Sequence, residues 1–171
     1  MPATPTPTPS PKSVTILFVC LGNICRSPLA ENVSRALARD AGVADRLEID
    51  SAGTSGWHIG EPPDARAAEE ARRRGVELEG SSRRLDADDL DRFDYIIVMD
   101  EQNLSDVRAL ATLAPTSAEI RMLREFDPEA DGPTDVPDPY FGGERGFADV
   151  HDIVERSCRG LLEHVREVHG F

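Results

Sequence analysis

The residues 15–31, TILFVCLGNICRSPLAE, contain the side chains of the sequence best suited to chemistry. Cys20 ends an apolar run, and a thiolate is the nucleophilic form of cysteine. Arg26 follows, and its planar fork of donors matches two oxygens of a phosphate. Gly22 and Asn23 tolerate positive φ, which lets successive N–H groups curve around an anion. The segment therefore indicates a nucleophile and a phosphate-binding loop together, which covalent phosphoryl transfer requires.

Two elements must position this loop. The short apolar run at 14–19 predicts a buried strand, and the pattern at 27–41 predicts a helix. Ser27 is predicted to be the N-cap of this helix, Pro28 suits its first position, and Gly42 ends it. A helix N-terminus attracts an anion through its free N–H groups and its dipole, and the same field favours a thiolate. Ser27 is also placed to hydrogen-bond the thiolate.

The rest of the chain alternates strands with helices. Periodicity and turn residues predict strands in RLEIDSAGTSG, FDYIIVMD and AEIRMLREF, and helices at 64–74, 101–111 and 147–169. This alternation predicts an α/β fold, with a parallel sheet covered by helices on both faces. Ligands of such sheets bind at the carboxyl ends of the strands, which is where Cys20 lies.

Length, charge and the N-terminal segment limit the class of protein. A chain of 171 residues suits one domain, and its net charge of −13 disfavours nucleic acid and anionic membranes as general partners. Its apolar runs are too short to span a bilayer. The segment 1–13, MPATPTPTPSPKS, lacks the apolar part of a secretory signal. We therefore predict a disordered tail at 1–13, a single domain at 14–171 and a cytoplasmic location.

The cysteines allow further interpretations. Cys20 and Cys25 have the spacing of half a zinc site, but the chain has no second pair of cysteines, so no metal is expected. A thiol near a reactive cysteine can capture its sulfenic acid as a disulfide, which predicts that Cys25 protects Cys20 in a redox-sensitive loop. The alternative is that Cys25 fills apolar space below the loop. Packing or surface roles are assigned to His151, Cys158 and His164.

A candidate general acid lies in the loop 127–143, which is rich in Pro, Asp and Gly and is called the acidic loop here. Asp138 stands out because a proline on each side restricts its backbone. Tyr140 and Phe141 follow it and can form an apolar wall for a flat ring. The other aspartates of this loop are Asp127, Asp131 and Asp135, and most of them are expected to be solvated.

The run VCLGNICRSPLAE resembles the signature loop of the low-molecular-weight protein tyrosine phosphatase family. The resemblance continues in order through DSAGTSGWHIGEPPD, FDYIIVMDEQNL and DPYFGG, and covers essentially everything after the tail. It implies a three-layer fold, in which a four-stranded parallel sheet has helices on both faces and a phosphate-binding loop follows the first strand. The implied activity is hydrolysis of phosphotyrosine through a cysteinyl phosphate, without a metal or other cofactor. The implied partner is a phosphotyrosine-containing protein, with a tyrosine kinase among the candidates, and the product is inorganic phosphate.

The resemblance also assigns roles to residues. The nucleophile, the phosphate-binding arginine and the general acid of the family fall on Cys20, Arg26 and Asp138. Trp57 falls in the variable loop that flanks the substrate ring, and Ser51 matches a serine that bonds the loop asparagine. Contacts with phosphate or substrate are then expected from Leu21, Gly22, Asn23, Ile24, Cys25, Ser27, Trp57, Tyr140 and Phe141.

One departure from the family pattern concerns the support of Asn23. Many members carry a histidine in the segment that matches Gly80–Ser82, and it supports the loop asparagine. Here the segment reads EGSSRR, so a serine or a water molecule is expected to substitute for that histidine.

Other functions are possible on the same scaffold. Protein-arginine phosphatases resemble Cys-x-Gly-Asn-Thr-Cys-Arg, with threonine where this chain has the apolar Ile24. Thioredoxin-coupled arsenate reductases need a further pair of cysteines near the middle of the chain, whereas here the only other cysteine is Cys158. A catalytically inactive phosphotyrosine-binding module is disfavoured because Cys20, Arg26 and Asp138 are all present.

Overall fold

A computed structural model describes residues 12–132, 134–140 and 144–171, except for the side chains of residues 144 and 145. All but the last two residues of the predicted tail, and Phe141 of the predicted site, lie outside the described residues.

Four parallel strands form the central sheet. They are β1 (Val14–Cys20), β2 (Leu47–Gly53), β3 (Tyr95–Val98) and β4 (Glu119–Met122), in the spatial order β2-β1-β3-β4. The central strand β1 pairs with both β2 and β3. Its last residue, Cys20, lies opposite Gly53 at the end of β2, so the loops after these two strands meet at one edge of the sheet.

Helices cover both faces of this sheet. They are α1 (Arg26–Asp40), α2 (Ala65–Arg73), α3 (Ala87–Arg92), α4 (Glu101–Ala111) and α5 (Glu144–His169). The core on one face contains residues of α1, α2 and α5, and the core on the other face contains residues of α3 and α4. The predicted α/β fold is therefore confirmed. In the described part of the chain, no helix combines the length and the apolar character needed to cross a membrane.

The alternation of side chains along β1 supplies both cores. Ile16, Phe18 and Cys20 point toward α1 and α5, whereas Leu17 and Val19 point toward α3 and α4. All five are buried. A slip of the strand by one residue would exchange the two sets, so the packing fixes the position of Cys20 at the sheet edge.

The main differences between the predicted and the observed elements concern the starts of α1 and α5 and the helix α3. The helix α1 begins at Arg26 and Cys25 occupies its cap position without a side-chain bond, so the prediction of Ser27 as N-cap was wrong. The Ser27 hydroxyl instead forms hydrogen bonds with the side chains of Cys20 and Asn23. The short helix α3 was not predicted; it is stabilised by a capping box of Asp86 and Asp89 rather than by an apolar repeat. The helix α5 begins at Glu144 rather than at residue 147.

The helix α5 packs very closely against the turn Leu123–Phe126, which precedes the acidic loop. A Cβ atom at Gly160 would lie 2.0 Å from the carbonyl oxygen of Phe126. Nearby, Arg156 donates two hydrogen bonds to Asp127, at 3.1 and 3.2 Å. Asp127 is buried, so it is an exception among the loop carboxylates that we expected to be solvated. Because Gly160 has no side chain, α5 can approach the backbone of Phe126 this closely.

We predict that Gly160→Ala destabilises the fold, although alanine is the better helix former. The added methyl group must push α5 away from Phe126, which should lower the free energy of unfolding by about 1–3 kcal/mol. The matched control is Gly146→Ala on the same helix, where a Cβ would meet only Pro139 at 4.0 Å and stability should hold or rise. Urea denaturation measures both, and equal stability of the two variants would contradict the prediction.

Candidate active site

The loop between β1 and α1 folds over the thiol of Cys20. The backbone N–H of Asn23 donates to Cys20 Sγ at 3.3 Å, and Ser27 Oγ lies 3.0 Å from the same sulfur. Because Ser27 Oγ accepts a hydrogen bond from Asn23 Nδ2 at 2.8 Å, its own hydrogen can point to the sulfur. The sulfur is thus surrounded by donors, an arrangement that suits a thiolate nucleophile.

Asn23 connects the loop to the body of the protein. Its φ is +54°, in the left-handed region. Its Nδ2 donates to Ser51 Oγ at 3.0 Å as well as to Ser27, and its Oδ1 accepts from the backbone N–H of Arg83 at 3.0 Å. All the hydrogen-bonding atoms of this amide are therefore engaged, and they hold the backbone in a conformation that a side chain rarely adopts.

The segment EGSSRR supports the loop partly through its backbone. The Asn23 oxygen is bonded by the main-chain N–H of Arg83, whereas the hydroxyl of Ser82 donates to the carbonyl of Gly22 at 3.0 Å. A serine therefore contributes, but to the residue beside Asn23. The loop also packs closely on Gly53. A Cβ at this position would lie only 2.8 Å from the carbonyl oxygen of Leu21, so a glycine is needed for the loop to lie this near to the end of β2. No sequence signal points to the Arg83 contact, since any non-proline residue carries this backbone donor.

Glu31 extends the network below the loop, and sequence reasoning missed it. This residue lies on α1, is 6% exposed, and accepts a hydrogen bond from Ser51 Oγ at 2.5 Å. Its other oxygen lies 2.7 Å from Arg35 Nη1. Burial raises the pKa of Glu31, against the opposing effects of Ser51 and Arg35.

Arg26 is held almost completely inside the protein, with 2% of its surface exposed. Its Nη1 donates to Asp100 Oδ2 at 2.7 Å and to the carbonyl of Val136 at 3.0 Å, and its Nη2 lies 3.5 Å from Asp138 Oδ2. Asp100 also caps α4 by accepting from the N–H of Asn103. Sequence reasoning missed Asp100, whose position between a buried strand and a helix signalled only a cap. Arg26 thus joins the phosphate-binding loop to the acidic loop.

Asp138 is brought to the cysteine pocket by the acidic loop. Its Oδ1 accepts from the backbone N–H of Tyr140 at 3.0 Å, which turns the loop back on itself. Arg66 of α2 donates to the Tyr140 carbonyl at 3.1 Å, and its guanidinium lies 5.4 Å from the centre of the Tyr140 ring. The Asp138 carboxylate is therefore held near Arg26 by its bond from the Tyr140 N–H, and Arg66 in turn holds Tyr140 in place.

The structure brings most of the predicted site residues into one pocket. Its lining is formed by Cys20, Leu21, Gly22, Ile24, Cys25, Arg26, Trp57, Asp138 and Tyr140, together with His58, which was not predicted. Asn23, Ser27 and Ser51 lie behind the loop and act on it through hydrogen bonds.

The pocket has an exposed rim. Trp57 is 75% exposed and Tyr140 is 37% exposed. The ring of His58, whose centre lies 6.1 Å from that of Tyr140, covers Gly22, where a Cβ would lie 3.0 Å from the His58 ring. His58 Nδ1 also lies 2.5 Å from Glu61 Oε2. The rim can therefore surround a flat ring with aromatic side chains.

Cys25 serves both the pocket and the packing beneath it. It lines the pocket with Cys20, and it is also buried in a small cluster with Ile24, Ala67 and Phe147. Burial, reinforced by nearby negative charge, raises the pKa of the Cys25 thiol. Both cysteines are free thiols. Among the residues that the structure describes, no group of three or more His, Cys, Asp or Glu side chains is arranged to hold a metal ion.

We predict that Glu31 makes stability depend on pH. Its folded-state pKa is raised, so its contribution is largest below the unfolded pKa of about 4.5 and is lost as pH rises through the folded pKa. In urea denaturation, the free energy of unfolding of wild type relative to Glu31→Gln should therefore decrease between about pH 4 and pH 8. Glu167→Gln, an exposed position on α5, is the control. An equal slope for both variants would contradict the effect of burial.

Comparison with known proteins places the chain in a family. The model of the low molecular weight phosphotyrosine protein phosphatase family matches residues 15–169. A low molecular weight protein-tyrosine-phosphatase of Streptomyces coelicolor is 46% identical over 156 residues, covering 89% of this chain and 93% of that protein.

Two solved structures show the same fold. A protein tyrosine phosphatase from Entamoeba histolytica superposes with a TM-score of 0.86 at 36% identity, covering 92% of this chain and 99% of that one. The Drosophila arginine phosphatase DARP superposes with a TM-score of 0.83 at 32% identity, covering 88% and 97%. The family match extends from the first strand to the end of the last helix, and the chain therefore belongs to the low molecular weight phosphotyrosine protein phosphatase family.

Proposed function

We propose that this protein hydrolyses phosphotyrosine in proteins through a cysteinyl-phosphate intermediate, without a metal ion. The observation that carries the proposal is the meeting of Cys20, Arg26 and Asp138 in one pocket. A nucleophile, an anion-binding cation and a candidate acid are the groups that this reaction requires.

In the first step, the N–H groups of the loop and the guanidinium of Arg26 hold the three equatorial oxygens of the phosphate. Cys20 Sγ attacks phosphorus, and an S–P bond forms as the bond from phosphorus to the tyrosine oxygen breaks. Asp138, in its protonated form, gives its proton to that oxygen, so tyrosine leaves as a neutral phenol.

In the second step, the Asp138 carboxylate takes a proton from water while the water oxygen attacks phosphorus. The S–P bond breaks, inorganic phosphate is released, and Cys20 returns to the thiolate. The hydroxyl of Ser27, 3.0 Å from the sulfur, stabilises the departing thiolate. Asp138 ends the cycle protonated, ready for the next substrate.

The walls of the pocket favour an aryl phosphate. Ile24, Trp57 and Tyr140 line the pocket with apolar or aromatic surface, and the predicted contribution of Phe141 lies outside the described residues. A phenyl ring holds its phosphate far enough from the peptide backbone to reach Cys20, whereas the stem of phosphoserine is shorter. The substrate class we propose is therefore a phosphotyrosine-containing protein, with tyrosine kinases among the candidates.

Arginine dephosphorylation is the second candidate, because the Drosophila arginine phosphatase shares the fold. The apolar side chain of Ile24 in the pocket favours the tyrosine substrate. Arsenate reduction has weaker support. Cys158 is buried on α5 with its thiol directed at the carbonyl of Ala30, and burial raises its pKa to about 12.

We also propose that the protein acts in a reducing cytoplasm. All three cysteines are free, which suits a compartment that keeps thiols reduced. A thiolate nucleophile needs the same condition, because oxidation of its sulfur stops turnover.

The catalytic roles predict distinct variant phenotypes. Cys20→Ser should abolish turnover of a phosphotyrosine peptide while still binding inorganic phosphate. Asp138→Ala should slow hydrolysis by roughly 10²–10⁴-fold, the usual effect of losing a general acid. Asp135→Ala is the matched control, since Asp135 lies in the same loop but bonds the N–H of Glu101.

The assay compares phosphotyrosine, phosphoarginine and phosphoserine peptides in the presence of EDTA, with burst-phase kinetics to detect the intermediate. Near-normal activity of Asp138→Ala beside a dead Asp135→Ala would refute the acid assignment. Inactivation by EDTA would refute the metal-free mechanism, and faster hydrolysis of phosphoarginine or phosphoserine would refute the substrate class.

We propose a protective role for Cys25, which predicts reversible oxidation. Peroxide transfers one oxygen to the Cys20 thiolate, giving a sulfenic acid. The Cys25 sulfur then attacks the oxidised sulfur, an S–S bond forms and water leaves. Because burial raises the Cys25 pKa, this closure should accelerate as pH rises.

The measurement is activity regained with dithiothreitol after peroxide, as a fraction of each variant's starting value. Wild type and the control Cys158→Ser should recover, whereas Cys25→Ser should remain inactive. Peptide mapping should show Cys20 joined to Cys25. Full recovery of Cys25→Ser, or a disulfide to Cys158, would assign Cys25 to packing alone.

A further inference from the structure

Beside the catalytic pocket lies an open groove between the loop after β2 and the end of α4. Its apolar walls include Trp57, Ile59 and Leu113, which are 75%, 61% and 84% exposed. In the described part of the chain only two other large hydrophobic residues, Tyr140 and Val168, are exposed. Most of the exposed large apolar side chains therefore converge in this side groove, and such convergence marks interaction surfaces.

The side groove is continuous with the catalytic pocket. Leu21 and Trp57 line both. A phosphorylated side chain that reaches Cys20 brings its own backbone to the rim of the pocket, so the neighbouring residues of that polypeptide must cross the surface next to it. The groove beyond Trp57 offers them apolar contacts.

The groove also contains a cation that forms no ion pair with any residue that the structure describes. Arg84 is exposed in the lining of the groove, and within the described residues no carboxylate forms an ion pair with it. Its stem runs beside Ile59, since a Cβ at Gly56 would lie 3.1 Å from Ile59 Cδ1 and 3.6 Å from Arg84 Cδ. The guanidinium is therefore presented next to apolar surface, where a carboxylate of a bound segment can reach it.

The charge of the chain argues against a second copy of this protein as the occupant. The net charge is −13, so two copies repel one another over most approaches. The described lining of the groove contains one arginine without an ion pair, Arg84, and one acidic residue, Asp106. This charge balance suits a peptide segment with a local carboxylate better than a whole acidic protein.

We propose that the side groove binds the residues flanking phosphotyrosine in the substrate protein, and selects a segment with a large apolar side chain close to an acidic one. This inference rests on the proposed function and adds to it a rule for the substrate sequence. The catalytic pocket recognises the phosphorylated ring, and the groove discriminates between polypeptides that carry it.

The test uses three substrates on the full chain: a small aryl phosphate, a phosphotyrosine peptide with apolar and acidic flanks, and the same peptide with serine at those flanks. Wild type should show a higher kcat/KM for the apolar and acidic peptide, by about 10-fold or more. Leu113→Ser and Arg84→Gln should each reduce this preference while hydrolysis of the aryl phosphate stays unchanged. Both positions are exposed and lie outside the catalytic pocket.

The matched control is Val168→Ser, a 59% exposed residue on α5 that lines neither pocket nor groove, and it should keep the full preference. Normal aryl phosphate turnover with equal kcat/KM for the two peptides would overturn the groove proposal alone. Absence of turnover on all substrates would overturn the proposed function, and this inference with it. Sedimentation showing a dimer that Leu113→Ser dissociates, without a change in peptide preference, would assign the groove to a second copy and overturn the proposal.

Discussion

The left-handed backbone of Asn23 is the constraint on which the site depends. A loop that turns its N–H groups inward around an anion must reverse direction within a few residues, and one residue accepts the unfavourable φ. Here the cost is offset because the Asn23 amide donates hydrogen bonds to Ser27 and Ser51 and accepts one from the backbone N–H of Arg83. The strand ends, the close approach at Gly53 and the buried Glu31 all serve to hold this one turn.

Arg26 imposes a second constraint, because a buried cation must be matched before any substrate arrives. Asp100 supplies the opposite charge and the carbonyl of Val136 adds an acceptor. Since Val136 belongs to the acidic loop, satisfying Arg26 also fixes where that loop crosses the pocket. One arginine thereby brings the anion-binding loop and Asp138 together.

The reacting groups of the site are buried, whereas the apolar side chains beside the pocket are exposed. Cys20 is 2% exposed and its sulfur lies within hydrogen-bond distance of Ser27 and the Asn23 N–H, whereas Trp57, Ile59 and Leu113 are exposed to solvent. Buried polar contacts fix the reacting groups within narrow distances, as phosphoryl transfer requires. Exposed apolar side chains cost stability little and are available for a partner. In our proposal, the buried groups carry out the reaction and the exposed apolar side chains select the substrate.

The sequence by itself determined the elements and the reacting loop. Apolar runs and turn residues predicted four strands and the long helices, since local periodicity reflects burial on one or two faces. The spacing from Cys20 to Arg26 indicated a nucleophile beside a phosphate cradle, and the prolines around Asp138 singled out one acid. The predictions of the fold were confirmed because the signal for each element lay within a few neighbouring residues.

Only the tertiary structure decided what lies across the fold. Asp100 reaches Arg26 over 74 positions and the Arg83 backbone reaches Asn23 over 60, distances at which no local pattern carries information. Ser27 was predicted as a cap from its place in the sequence, but its hydroxyl was taken by Cys20 and Asn23. Glu31 was not among the predicted site residues, and only packing buried it beside Ser51. Burial and long-range hydrogen bonds, rather than residue type, set these roles, and both exist only after the chain has folded.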